Sequence, residues 1–316
     1  MKARTKIKPQ KSAPKKLELA LALRSFRGYL VGSGKALNTL ESYDSDLVSF
    51  QEFLETGLSA TRVSLSKITL HDVEQYHDWL KLRGLKSNTR RRKILTLRRL
   101  LSHLTQRKKI SIDIGRKLPA PEKIEKPPFT VSTVTLLRSI HALPTATETS
   151  PTSGRNRILL WVLAETGCQV SEVCRLKIEN FDPAGFVLLT GKSERVVPVS
   201  KGLGAAVLAI KTTSAWLFTG HNKFGSLGSP ISSRGVEMIV RDYSKRLGLG
   251  EMTPRTFRHS AVLHWHQEGL DKAAIQKRLG LKTDYAFRIY EPLFTTKQPT
   301  TKQPSNPTAK PHPPGK

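Results

Sequence analysis

The stretch ETGCQVSEVCRLK, residues 165–177, holds both cysteines of a 316-residue chain, with Gln169 directly after the first. Six residues along a helix turn through about 600°, which leaves Cys168 and Cys174 pointing about 120° apart. No third cysteine exists, and no histidine stands at metal-ligand spacing from either thiol. A disulfide and a zinc site are therefore not expected, and both thiols are read as small buried hydrophobes. The information lies in the neighbouring letters. The stretch closes a long apolar run, RNRILLWVLAETG (155–167), read as a helix ended by Gly167, and opens a second helix near Ser171.

Working outward, GFVLLTGKSERVVPVS (185–200) places two β-rich runs around a Gly-Lys-Ser-Glu turn and predicts a hairpin. The remainder, from Ser232 to Tyr290, reads as mostly helical. On the N-terminal side, LPAPEKIEKPP (118–128) breaks all periodicity and marks a linker over 112–128. Before it, 17–111 is helical throughout. Leu40, Tyr43, Leu47, Phe50 and Leu54 form one apolar face, and Ile94, Leu97, Leu101 and Leu104 another, with Ser87 or Thr89 as its N-cap. Two further helices fit 17–30 and 71–82. The expected architecture is mainly α: a small helical bundle (17–111), then a helical domain with a small antiparallel sheet (129–294). The flanking 1–16 and 295–316 are Lys/Pro/Thr-rich and read as disordered tails.

Charge is the strongest global signal. The chain carries 53 Lys and Arg against 25 acids, a net +28. Seven of the excess cations lie in 1–16 and four in 295–316, which leaves +17 in the folded body. A basic body points first to nucleic acid. Arg90, Arg91, Arg92 and Lys93, followed by Arg98 and Arg99, fall on the polar side of an amphipathic helix and are read as phosphate contacts to DNA. A basic RNA-binding structural protein is a distant alternative that rests on charge alone. No run is long and apolar enough to span a membrane, and the basic N-terminus lacks the apolar core of a secretory signal, so a cytoplasmic, nucleoid-associated location is expected.

Two tempting motifs fail. In TGKSER the first glycine of a phosphate loop would stand at position 186, which is Phe186. His259, His264 and His266 have no acid or thiol at ligand spacing and are read as ordinary helix-face histidines, so no metal is expected.

Taken in order, ETGCQVSEVCRLKIENFD, TGKSERVVPVS, WLFTG, TPRTFRHS and LGLKTDYAFRIY resemble the signatures of the tyrosine recombinase (phage integrase, Xer-like) family. GSGKALNTLESYDSDLVSFQEFL and KSNTRRRKILTLRRLLSHL resemble that family's SAM-like core-binding domain. The resemblance spans 17–293. It implies attack of a tyrosine on a DNA phosphate, a 3′-phosphotyrosine link and a free 5′-hydroxyl, without metal or nucleotide cofactor. It places Tyr290 as nucleophile, Arg258 as a phosphate-clamping arginine and Lys192 as general acid.

Three positions depart from the family pattern. Gln169 stands where the first clamping arginine belongs, Arg255 where a histidine belongs, and Leu281 where a histidine or tryptophan follows LG. Gln169 offers a neutral donor without a guanidinium fork, and Leu281 offers no donor. Losing one transition-state donor costs a factor of about 100 to 1,000, so strand cleavage is expected to be impaired, with an active site-specific recombinase as the alternative. The resemblance also implies double-stranded DNA, and a second recombinase protomer or a homo-oligomer on DNA, as partners. Beyond Tyr290, where relatives carry a docking helix, only Leu293 and Phe294 are fitted to dock on a neighbour.

Overall fold

The computed structural model describes residues 15–56, 68–111, 113–124, 127–143, 152–190, 193–210, 214–222 and 225–295. They fall into two compact units divided between Glu125 and Lys126. Nearly all of the two tails expected at 1–16 and 295–316 lies outside the described residues.

The N-terminal unit contains α1 (Lys15–Gly32), α2 (Leu37–Thr56), α3 (Leu70–Leu82), α4 (Ser87–Gln106) and α5 (Ile114–Lys117). Leu40, Leu47 and Phe50 of α2 and Ile94, Leu97, Leu101 and Leu104 of α4 are buried, as their spacing predicts. Phe53 takes the buried place expected of Leu54, which is only partly buried. Helix α4 begins at Ser87, but its N-cap is Lys86 and no side chain caps it, contrary to the expected Ser87 or Thr89 cap. Short α5 lies in the stretch read as linker. Ile114 and Leu118 nevertheless enter the bundle core, and the Arg98 Nε–H donates to the Gly115 carbonyl at 2.9 Å.

A buried carboxylate ties α2 to α4. Asp46 accepts from Arg92 at 2.8 Å and from the Thr96 hydroxyl at 2.9 Å. Lys93 stands 3.3 Å from its other oxygen and donates to the Ser49 hydroxyl at 2.6 Å. Lys93 is therefore a buried structural cation, which corrects its reading as a DNA contact. Counting along α4 places it beside Arg92, but a buried acid on the neighbouring helix draws it inward.

The C-terminal unit begins with α6 (Thr133–His141), α7 (Thr152–Thr166) and α8 (Val170–Val173). Strands β1 (Phe181–Asp182), β2 (Phe186–Leu189) and β3 (Arg195–Pro198) form an antiparallel sheet in that order. β2 and β3 pair from Phe186 with Pro198 to Leu189 with Arg195, the hairpin expected from the sequence. After α9 (Lys201–Leu208) comes a second hairpin, β4 (Thr219–Asn222) with β5 (Gly225–Pro230). Helices α10 (Ser233–Arg246), α11 (Pro254–Gln267), α12 (Lys272–Leu279), α13 (Asp284–Phe287), a 3-10 turn at Arg288–Tyr290 and α14 (Glu291–Thr295) complete it. Leu293 and Phe294, the only two residues there fitted to dock on a neighbour, pack on their own core, with the Phe294 ring 4.1 Å from that of His266.

Gly280 ends α12 in the left-handed conformation, at φ +66°. A Cβ there would sit 2.8 Å from that of Ser193 and 3.1 Å from the Arg195 side chain. Gly280→Ala is expected to cost about 1–3 kcal/mol, read as a lower urea midpoint with unchanged slope. An unchanged midpoint would contradict this packing.

Candidate active site

Helix α11 carries most of the site. Pro254 at its first turn presets the helical φ, and the Ser260 hydroxyl accepts from the Val131 N–H at 2.9 Å, fastening the helix to the segment leading into α6. Residues 256–263 of α11 are buried without interruption. Arg258 is thus an arginine inside a core, 7% exposed. Its Nη1 donates to the Gly167 carbonyl at 2.8 Å and its Nη2 to the Leu279 carbonyl at 2.7 Å. Both acceptors are at helix ends, where carbonyls lack intrahelical partners and cations are favoured. Two of the five guanidinium N–H groups are so used, and three remain for an anion.

The turn after α7 supplies the opposite wall. Gly167, at φ +54°, lets the chain turn sharply, and a Cβ there would lie 3.1 Å from that of Ala261. Gln169 follows as the exposed N-cap of α8, its N–H donating to Glu172 at 2.6 Å. Glu172 and Arg195 form a buried pair, 5% and 6% exposed, joined at 3.1 Å through Nη2 and Oε2 and by a shorter bond through Nη1. Arg195 also donates to the Arg278 carbonyl. Two arginines, Arg195 and Arg258, therefore hold successive carbonyls at the end of α12.

One cleft brings together Gln169, Arg255, Arg258, His259, Leu281 and Tyr290. Five of the six positions singled out in the sequence meet there. The sixth, Lys192 in the β2–β3 turn, lies outside the described residues. Arg255 is exposed and also lines an adjoining groove with Arg234, Arg241 and Lys245 of α10. Tyr290 is 4% exposed, its ring 5.5 Å from Phe287 and edge-to-face at 5.4 Å from His259. Sequence reasoning missed His259, grouping it with His264 and His266. Its immediate adjacency to Arg258 was the available signal. Burial, then the Arg255 and Arg258 cations, push the His259 imidazole down to about 4, so it is neutral at neutral pH.

Of the two cysteines, Cys168 lines this cleft and Cys174 does not. Both are free thiols, and burial pushes Cys168 up to about 12 and raises Cys174 as well. In the N-terminal unit, Arg91, Arg92, Arg98, Arg99 and Lys123 line a groove between α2 and α4, with Arg99 over the Tyr43 ring. Arg90 is half-buried, and Arg91 donates to the Pro121 carbonyl. Among the described residues no helix is long and apolar enough to cross a membrane.

Residues 136–296 match the phage integrase family, and residues 23–108 match the phage integrase N-terminal SAM-like domain. The chain belongs to the phage integrase family. Its relatives include the tyrosine recombinase XerC of Staphylococcus aureus, 30% identical over 253 residues, covering 77% of this chain and 82% of the relative. The tyrosine recombinase XerD of Listeria innocua is 24% identical, covering 83% and 90%. Among solved structures, a lambda integrase dimer bound to a COC′ core site superimposes with a TM-score of 0.68 at 16% identity, covering 86% of this chain and 95% of that one. XerH bound to its difH substrate gives 0.64 at 20% identity, covering 89% and 81%. This integrase-family chain therefore has the tyrosine recombinase fold in both of its units.

Proposed function

We propose that this protein binds duplex DNA and acts in recombination or integration, with strand cleavage through Tyr290 slowed by the residues at 169 and 281. One observation carries the reading. The cleft holds an arginine and a tyrosine suited to phosphotyrosine chemistry, but its wall offers a neutral amide at Gln169 and no donor at Leu281. Arg258, fixed by two carbonyls, would present its free N–H groups to a phosphodiester. Tyr290 Oη would attack phosphorus while the 5′-oxygen leaves with a proton, supplied by Lys192 as the family resemblance implies.

The basic grooves in each unit suit the phosphate backbone, and the dimeric lambda integrase complex supports a second protomer on DNA as partner. A cytoplasmic, nucleoid-associated place in the cell follows from this reading. A fully active recombinase is the second reading, favoured by Arg255, which brings a guanidinium to the same cleft as Gln169.

The test begins with selection of a binding site from random duplexes. A nicked suicide duplex carrying that site is then followed for a covalent adduct. Salt-sensitive, site-specific binding is expected, with an adduct that accumulates over hours and is absent in Tyr290→Phe. Stoichiometric adduct within minutes would overturn the impairment, and preference for RNA over duplex would overturn the DNA reading. Arg99→Glu and Arg241→Glu are each expected to weaken duplex binding about 10-fold and to reduce the salt slope by about 1.

A further inference from the structure

The family pattern puts a histidine where this chain has Arg255, a side chain that stays protonated and cannot accept a proton. The cleft nevertheless contains an imidazole. His259 is 7% exposed, and its Nδ1 is buried with no hydrogen-bond partner among the described residues. A buried polar atom without a partner costs stability, and a catalytic role is one reason a fold keeps it. No acceptor or donor fixes the tautomer through that nitrogen, and the ring lies edge-to-face against Tyr290.

We propose that His259 is the proton acceptor for the Tyr290 hydroxyl, a role that rests on the reading of Tyr290 as the nucleophile. In the forward step the Oη–H bond breaks, and its proton passes to a nitrogen of the imidazole. The released electron pair forms the Oη–P bond, while the 5′-oxygen leaves phosphorus with a proton from the general acid. In rejoining, the 5′-hydroxyl gives its proton back to the general acid as its oxygen attacks phosphorus, the Oη–P bond breaks, and the imidazolium returns its proton to the Tyr290 phenolate.

The charges around the ring gate this base. The ionisable groups of the cleft are Arg255 and Arg258 on its own helix, Glu237 on α10, Cys168 after α7, and Tyr290. Without DNA, burial first and then the two guanidiniums hold the imidazole far below its ordinary range, where it is neutral but a weak base. A DNA phosphate between Arg255 and Arg258 offsets both cations and strengthens the base when the substrate is in place.

The experiment uses the full chain and a duplex whose scissile 5′-bridging oxygen is replaced by sulfur. A thiolate leaves without an acid, so slow cleavage accumulates and the base step is isolated. Single-turnover adduct formation is measured for wild type, His259→Gln, His259→Ala with and without added imidazole, and Tyr290→Phe, with duplex affinity measured in parallel. His259→Gln is expected to slow adduct formation about 100-fold with affinity unchanged within about twofold. Imidazole is expected to restore part of the His259→Ala rate. The wild-type rate should fall as pH drops through the imidazole pKa of the complex, and His259→Gln should lose that limb. Adduct formation undiminished in His259→Gln, or a slow His259→Ala that imidazole leaves unchanged, would overturn the assignment to His259 while leaving Tyr290 as nucleophile. No adduct from wild type bound to this duplex would remove Tyr290 as nucleophile, and the role of His259 with it.

Discussion

Gln169→Arg is expected to raise the rate of covalent adduct formation about 100- to 1,000-fold, the span that one transition-state donor commonly commands. The position is prepared for it. Gln169 is exposed at the mouth of the cleft, so a longer side chain meets no packed neighbour. Its backbone N–H is already anchored on Glu172, which fixes the direction in which the new guanidinium would leave the chain. The opposing effects are small by comparison. A cation at the N-terminus of α8 works against the helix dipole by roughly 0.3–1 kcal/mol. Repulsion from Arg255 and Arg258 is relieved once a phosphate sits among them. The gain corresponds to roughly 3–4 kcal/mol of barrier. Measured on the suicide duplex, an unchanged rate would mean that Arg255 already completes the clamp, and the impaired reading would fall.

Glu172→Ala is expected to lower stability by about 3–5 kcal/mol, because it strands the Arg195 guanidinium in the core. Against a total of about 5–15 kcal/mol for an ordinary domain, that is a large share. Arg195 would keep the Arg278 and Ser193 carbonyls, but those bonds do not neutralise its charge. Gln169 would also lose its N–H acceptor. Urea unfolding followed by circular dichroism reads the loss, and Glu172→Gln, which preserves shape and one acceptor, should cost distinctly less. A loss below about 1 kcal/mol would show that the pair is not desolvated as its burial indicates.

Much of the N-terminal unit was legible because its helices bury one face each, and α2 and α4 announce that face at steps of three and four residues. What failed there was long-range. Nothing near Lys93 in sequence reveals that Asp46 stands against it, so a buried cation reads as part of a solvated stripe. In the C-terminal unit, the β2–β3 hairpin showed as two β-branched runs around a turn. The β4–β5 hairpin, GHNKFGSLGSP over 220–230, alternates nothing apolar and gives periodicity no hold. The candidate cleft was legible only through ordered motifs, since residues from 169 to 290 converge on it through the fold. Helix α11, buried all round over 256–263, has no polar face to count, so periodicity does not set His259 apart from its helix mates and only its place next to Arg258 does.

The collar of carbonyls around Arg258 has a mechanical meaning for DNA. An unrestrained arginine swings through many rotamers and can follow a phosphate that arrives out of place, at a cost of about 2 kcal/mol in lost freedom when it settles. Arg258 has settled before any DNA arrives, gripped at Gly167 and Leu279. Such a fork does not search. On the proposed reading, the strand must be delivered to it in the correct register, so the choice of which phosphate faces Tyr290 would pass from Arg258 to the surfaces that seat the double helix.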